Sequence, residues 1–202
     1  MRVDDPNTGR SYFSKRRRRF DGDCSPRELT FSGYKGYPFL ARDRVREWFV
    51  EAIEKTRQEW PVDLWAWVVM PEHVHLLVAP RETGVQIGNF QGAIKELVAR
   101  KAVKWLEQNA AEWISRITVQ EGKKTRRRFW QPGGGYDRNV DHLETLQSMI
   151  EYIHLNPVRR GLVARAVDWE WSSARWYAGM SPVHLEMDRT IPMIHPIPGG
   201  TP

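Results

Sequence analysis

The spacing of apolar and polar positions changes several times along the 202-residue chain, and each change marks an element. ELTFSG (28–33) alternates Leu29 and Phe31 against polar neighbours, which predicts a half-buried strand. DRVREWFVEAIEKTRQEW (43–60) sets Val45, Trp48, Phe49, Ala52 and Ile53 at helical spacing. PVDLWAWVVM (61–70) is apolar and β-branched between Pro61 and Pro71, as a buried strand should be. HVHLLVAP follows after a short turn at Pro71 and Glu72, so the two strands predict a hairpin. VQIGNFQGAIKELVARKAVKWLEQ (85–108) reads as a long amphipathic helix, weakened early by Gly88 and Gly92. EGKKTRRR (121–128) predicts a basic loop or hairpin tip, and FWQPGGGYDRNV (129–140) an interrupted strand with a glycine-rich turn. HLETLQSMIEYIHLNP (142–157) predicts a helix that Pro157 helps to end.

The order is β-α-β-β-α-β-α. It predicts an α+β fold of ferredoxin-like or RRM-like βαββαβ(α) type, with a central, largely antiparallel sheet packed by helices. One catalytic domain is expected over 26–180. A basic, flexible arm precedes it over 1–25, and an extended, proline-rich tail follows over 181–202.

Composition narrows the class of partner. The formal net charge of +6 points to a polyanion, most simply nucleic acid, although an inert basic surface gives the same sum. The basic residues gather in runs: Lys15, Arg16, Arg17, Arg18 and Arg19; then Lys123, Lys124, Arg126, Arg127 and Arg128; then Arg159 and Arg160. Such runs are solvated surfaces or phosphate contacts, and the two readings are compatible. Ten tryptophans are many for this length and suit either a core or stacking platforms. Trp169, Trp171 and Trp176 are expected to pack the C-terminal segment on the domain. The single Cys24 excludes a disulfide framework and a cysteine-built zinc site. With no signal peptide and no run long enough to span a bilayer, a cytoplasmic protein is expected.

Candidate chemistry begins in MPEHVHLLVA (70–79). On a strand His73, His75 and Leu77 share one face and Val74, Leu76 and Val78 the other. Two imidazoles side by side form half of a metal site. A lone HxH run occurs in many unrelated folds, where it is only a pair of half-exposed histidines. A third histidine at position 77 would suggest a nucleotidyl hydrolase with a histidine triad, and Leu77 excludes that pattern. Tyr152 and Asn156, four apart in the last helix, lie on one helical face. Asn156 offers an amide oxygen to a metal and Tyr152 a phenol as nucleophile. A phenol ionises near pH 10, so it needs a base or a nearby positive charge. Alone, the same pair reads as a core tyrosine and a C-terminal cap.

VVMPEHVHLLV, followed far downstream by YIHLNPVRRGLV, resembles the HUH single-strand DNA transposases with one catalytic tyrosine, and among them the REP-associated tyrosine transposases. RRFW (127–130), DWEWSSARWY (168–177) and the order of the pieces agree, so the resemblance runs from about 28 to 178. It implies His73, Val74 and His75 as the histidine–hydrophobe–histidine motif, Tyr152 as nucleophile and Asn156 as third metal ligand. Glu72 stands where many relatives carry asparagine or aspartate, a position that is not a ligand. QPGGGYDRN (131–139) is richer in glycine than the pattern, a tight turn or a close approach to DNA backbone. Tyr136 is a second phenol but, in a loop, a weaker nucleophile than Tyr152.

The resemblance implies cleavage and rejoining of single-stranded or hairpin DNA through a 5′-phosphotyrosine link, with Mg²⁺ or Mn²⁺ as cofactor and a monomer or homodimer as the working unit. Two other readings stay open: a nucleic-acid-binding module without chemistry, and a metal-dependent phosphodiesterase that uses water.

Overall fold

The structure, a computed structural model, describes residues 2–4, 11–13, 23–140 and 142–192. Strands β1 (Arg2–Asp4) and β2 (Ser11–Phe13) pair antiparallel. The basic run Lys15–Arg19 lies outside the described residues.

The main sheet contains β3 (Arg27–Ser32), β4 (Val62–Val69), β5 (His73–Pro80) and β8 (Tyr136–Asn139). Its order is β4-β5-β3-β8 and each neighbouring pair is antiparallel. Helix α1 (Asp43–Glu59) joins β3 to β4, and α2 (Ile87–Asn109) leads out of β5. This is the expected βαββαβ pattern, in which β5 is inserted between β3 and β4. The connection from α2 to β8 carries a short helix α3 (Glu112–Ile117) and a hairpin of β6 (Thr118–Glu121) and β7 (Lys124–Arg127). Helix α4 (Leu143–Arg159) and the four-residue α5 (Ala174–Tyr177) complete the described elements. Helix α4 continues two residues past Pro157, because proline removes one backbone donor but keeps a helical φ.

Alternation along the strands decides what each face carries. Leu29 and Phe31 of β3 and Val74, Leu76 and Val78 of β5 meet Phe49 and Ile53 of α1 and Phe90, Ile94 and Val98 of α2 in the larger core. On the opposite face Val68, Leu77 and Ala79 meet Leu146, Met149 and Ile153 of α4 in a second, smaller core. That second core does not extend over the whole face. Where β3 carries Glu28 and Thr30, and β5 carries His73 and His75, the surface under α4 is polar.

The edge of the sheet at β4 is covered. The Val69 amide donates to the Trp171 carbonyl oxygen at 2.9 Å, and the Ser173 amide to that of Trp67 at 3.0 Å. Trp171 is buried, and its ring stacks on His184 with centroids 4.1 Å apart. Trp169 donates from its indole nitrogen to the Val69 carbonyl, while Trp176 packs against the larger core. These tryptophans thus pack the C-terminal segment as expected. The chain past 180 has no regular secondary structure through Pro192, yet Leu185 and Met187 are buried in the larger core. Among the described residues no helix is long and apolar enough to cross a membrane.

Candidate active site

Strand β5 presents His73 and His75 on the face covered by α4, with ring centroids 5.0 Å apart and planes at 83°. Helix α4 lays Tyr152 against them, its ring centroid 5.7 Å from that of His75. Tyr152 is 39% exposed although it touches the sheet, so its side chain is open to solvent. Arg159, seven residues on, stands over the Tyr152 ring at 4.8 Å and supplies positive charge beside the phenol. Asn156 is 8% exposed, one helical turn from Tyr152. Its Nδ2 donates to the Tyr152 carbonyl oxygen at 2.9 Å, which directs the amide oxygen the other way.

The two imidazoles are held by acids and a hydroxyl that the sequence reading did not select. His75 Nδ1 shares a 2.8 Å hydrogen bond with Thr30 Oγ1 and lies 3.4 Å from Glu28 Oε1. His73 Nδ1 lies 3.3 Å from Glu72 Oε1, and the same Glu72 oxygen pairs with Arg160 Nη1 at 2.7 Å. Each Nδ1 is therefore engaged, which leaves each Nε2 as the donor atom for a ligand. Burial, and then the neighbouring His75, lower the pKa of His73 below its ordinary 6.5; Glu72 opposes them and Arg160 adds to the lowering. A neutral imidazole at pH 7 is the form that binds a metal.

Among the described residues no group of three or more His, Cys, Asp or Glu side chains gathers to hold a metal. The Asn156 amide is the third donor that the resemblance implied beside the two histidines. The donor set suits a divalent ion: two nitrogen ligands with Nδ1 held from behind, and an amide oxygen left free by its own nitrogen. Mixed nitrogen and oxygen donors of this kind accept Mn²⁺ and Mg²⁺ without selecting between them.

The predicted DNA contacts separate into three places. Arg159 and Arg160 join the histidines and Tyr152. Lys123, Lys124, Arg126, Arg127 and Arg128 lie on and beside the exposed β6–β7 hairpin. There Arg127 pairs with Glu107, Arg128 with Glu121, and Arg126 Nε with Glu121 Oε2 at 3.2 Å. The third place, Lys15–Arg19, is the one already noted as outside the described residues. The glycine-rich turn resolves into a close approach to the protein's own backbone. At Gly135, with φ +68°, a Cβ would lie 2.0 Å from the Thr30 carbonyl oxygen.

What the sequence reading missed is the floor of the site. Glu28 and Thr30 alternate with Leu29 and Phe31, so they were legible as the polar face of β3. That this face joins the histidines depends on the pairing of Thr30 with His75, which the local pattern does not specify.

A ferredoxin-like sheet with paired histidines on one strand, met by a tyrosine from a helix, is the arrangement that the resemblance to the HUH single-tyrosine transposases implied. No protein-family model matches the chain. It is 25% identical over 154 residues, 73% of its length and 82% of the relative's, to a Haemophilus influenzae protein carried under the provisional name REP-associated tyrosine transposase. It is likewise 25% identical over 122 residues, 60% of each chain, to an Escherichia coli REP-associated tyrosine transposase. A solved REP-associated tyrosine transposase bound to a REP hairpin shares the fold, with TM-score 0.63, 20% identity and coverage of 88% of this chain and 94% of that one. In sequence and in fold, then, the chain is similar to the REP-associated tyrosine transposases, as VVMPEHVHLLV and YIHLNPVRRGLV implied.

Proposed function

We propose that this protein is a metal-dependent, single-strand DNA transposase or endonuclease that cleaves and rejoins hairpin-type DNA through Tyr152. The observation that carries the reading is the meeting of Tyr152 with His75, 5.7 Å between ring centroids, beside a second histidine and a buried amide. A core tyrosine and two idle surface histidines have no reason to converge.

When bound by His73, His75 and Asn156, Mg²⁺ or Mn²⁺ supplies Lewis-acid polarisation of the scissile phosphate. The Tyr152 oxygen loses its proton and attacks phosphorus in line. The bond from phosphorus to the 3′ oxygen breaks, and that oxygen leaves and takes a proton. The products are a 5′-phosphotyrosine link and a free 3′-OH, which can attack the link and restore both partners. Energy stays in the covalent bond, so no nucleotide triphosphate is consumed. Arg159, over the Tyr152 ring, is placed to meet the phosphate that Tyr152 attacks. Two relatives carry the name of REP-associated tyrosine transposases, and a solved structure with the same fold is a REP-associated tyrosine transposase bound to a REP hairpin. Their likeness supports hairpin DNA with a single-stranded flank as the substrate here.

The test is a denaturing gel of end-labelled hairpin DNA with the protein and Mn²⁺ or Mg²⁺. A metal-dependent, protein-linked band is expected, absent in both Tyr152→Phe and His73→Ala. Cleavage that persists in Tyr152→Phe, with no adduct, would overturn it in favour of a water-using phosphodiesterase. Binding without cleavage in the wild type would leave a binding module.

A further inference from the structure

The site continues beyond the residues that the proposed chemistry uses. An open groove of about 530 Å³ runs from His75 and Tyr152 across the sheet. Its course follows the register of the strands. His75 of β5 is paired with Thr30 of β3, and Thr30 in turn with Tyr136 of β8. Cross-strand partners share a face, so the three form one row across the sheet, about 10 Å long at ordinary strand spacing. Two residue pairs further along, and so on the same face, Glu28 faces Arg138. Helix α4 forms the opposite wall with Thr145 and Ser148, on the stripe that ends in Tyr152.

We propose that this groove holds the nucleotide adjoining the scissile phosphate, with its base stacked on Tyr136 and its phosphate on Arg138. The inference rests on the reading of Tyr152 as the strand-cleaving group. Three observations carry it. Tyr136 is 38% exposed, a large aromatic surface at the far end of a groove that begins at the nucleophile. Its position is fixed by the backbone before it, since Gly135 sits so close to Thr30 that no side chain fits between them. A rigid aromatic platform is what stacking requires, and every base offers a π-face to it. Finally, the charges sort the two ends of a nucleotide. The floor carries the Glu28 carboxylate, which repels phosphate, beside the Thr30 hydroxyl, and both suit the edge of a base. The exposed Arg138 at the rim suits the phosphate. Tyr136 thus serves as a binding residue, and not as a second nucleophile.

The probe is a hairpin oligonucleotide with a single-stranded flank, carrying 2-aminopurine at each flank position in turn. It is bound to the non-cleaving Tyr152→Phe protein with Tyr136 intact, and with Tyr136→Phe, Tyr136→Ala or Arg138→Gln added. One flank position should be quenched with Tyr136 intact and with Tyr136→Phe, and released with Tyr136→Ala. Affinity should fall roughly 5- to 100-fold in Tyr136→Ala and be kept in Tyr136→Phe. Arg138→Gln should lower the salt slope of binding by about one. Equal quenching and equal affinity in all four proteins overturns the groove, whatever the gel shows. Differential quenching in a protein whose Tyr152 forms no adduct upholds the groove as a base site and sinks the strand-transfer reading instead. A protein-linked band on the Tyr152→Phe background would make Tyr136 a nucleophile and overturn its assignment as a platform.

Discussion

Glu72 stands between His73 and Arg160: one carboxylate oxygen lies 3.3 Å from His73 Nδ1 and 2.7 Å from Arg160 Nη1. The turn before the histidine strand is thereby tied to the end of the tyrosine helix. Arg160 is half exposed, so the ion pair contributes little to stability, about 0–1 kcal/mol. Its effect is on position. Glu72→Gln keeps the shape and removes the charge that orients His73. The Mn²⁺ concentration for half-maximal adduct should then rise roughly 10- to 100-fold, as it does for groups behind metal ligands. Arg160→Ala should move it the same way by less. A titration in which Glu72→Gln superimposes on wild type would show that Glu72 orients nothing.

Gly135 and Gly133 both have positive φ, +68° and +91°, but their surroundings differ. A Cβ at Gly133 meets open space, so Gly133→Ala should cost about 1 kcal/mol for the left-handed backbone alone. A Cβ at Gly135 would meet the Thr30 carbonyl oxygen, so β8 must shift from β3. Gly135→Ala should cost roughly 2–4 kcal/mol. Urea unfolding of the two variants, side by side, measures the difference. Equal midpoints would mean that β8 gives way without cost.

How far these relations were legible depended on their range. Alternation and helical spacing are local, so they placed His73 with His75, and Tyr152 with Asn156, before any fold was known. The order of strands and helices then brought the two pairs to one sheet face. Glu28 and Thr30 were visible as a polar face, but a strand's pattern does not name its neighbour. The stretch QPGGGYDRN (131–139), which holds Gly135, reads locally as a tight turn or an approach to DNA backbone. The neighbour of Gly135 is a carbonyl more than a hundred positions earlier in the chain, and no local signal contains that. Leu185 and Met187 escaped for a different reason: two apolar residues in a proline-rich stretch make no periodic pattern, yet both reach the core.

His154 should make stability fall in acid. Its ring nitrogen Nε2 shares a 2.8 Å hydrogen bond with Ser173 Oγ, and its ring packs on Tyr177 with centroids 5.0 Å apart. Burial lowers its pKa from 6.5 to about 4. Burial also raises Tyr177 to about 12, so that neighbour stays neutral throughout. The unfolded chain takes up this proton near pH 6.5 and the folded chain only near 4. The contribution is whole above pH 6.5 and is lost as pH falls toward 4, up to about 3 kcal/mol. Thermal unfolding from pH 7 to pH 4 should show a shallower decline in His154→Gln than in wild type. Parallel curves would remove His154 as a cause.

The edge strand β4 depends on the segment that follows α5. The Asp188 amide donates to the Leu64 carbonyl oxygen at 3.0 Å, and Asp188 Oδ2 accepts from the Leu64 amide at 2.8 Å and from Arg57 Nη2 at 2.6 Å. Thr190 Oγ1 donates to Asp63 Oδ2 at 2.6 Å, while the Trp65 indole donates to Thr190. A bare sheet edge offers unpaired amides and carbonyls to any other strand, and this segment occupies them. Asp188→Ala leaves the Leu64 amide without its side-chain acceptor and should cost about 1–3 kcal/mol. A chain ending at 184 also loses Leu185 and Met187 from the core, several kcal/mol in total, and bares the Asp63–Trp65 part of β4. It should melt lower than Asp188→Ala and self-associate, as sedimentation at increasing concentration would detect. A shortened chain that stays monomeric and melts with the wild type would show that β4 needs no cover, and that residues 171–173 already protect the edge.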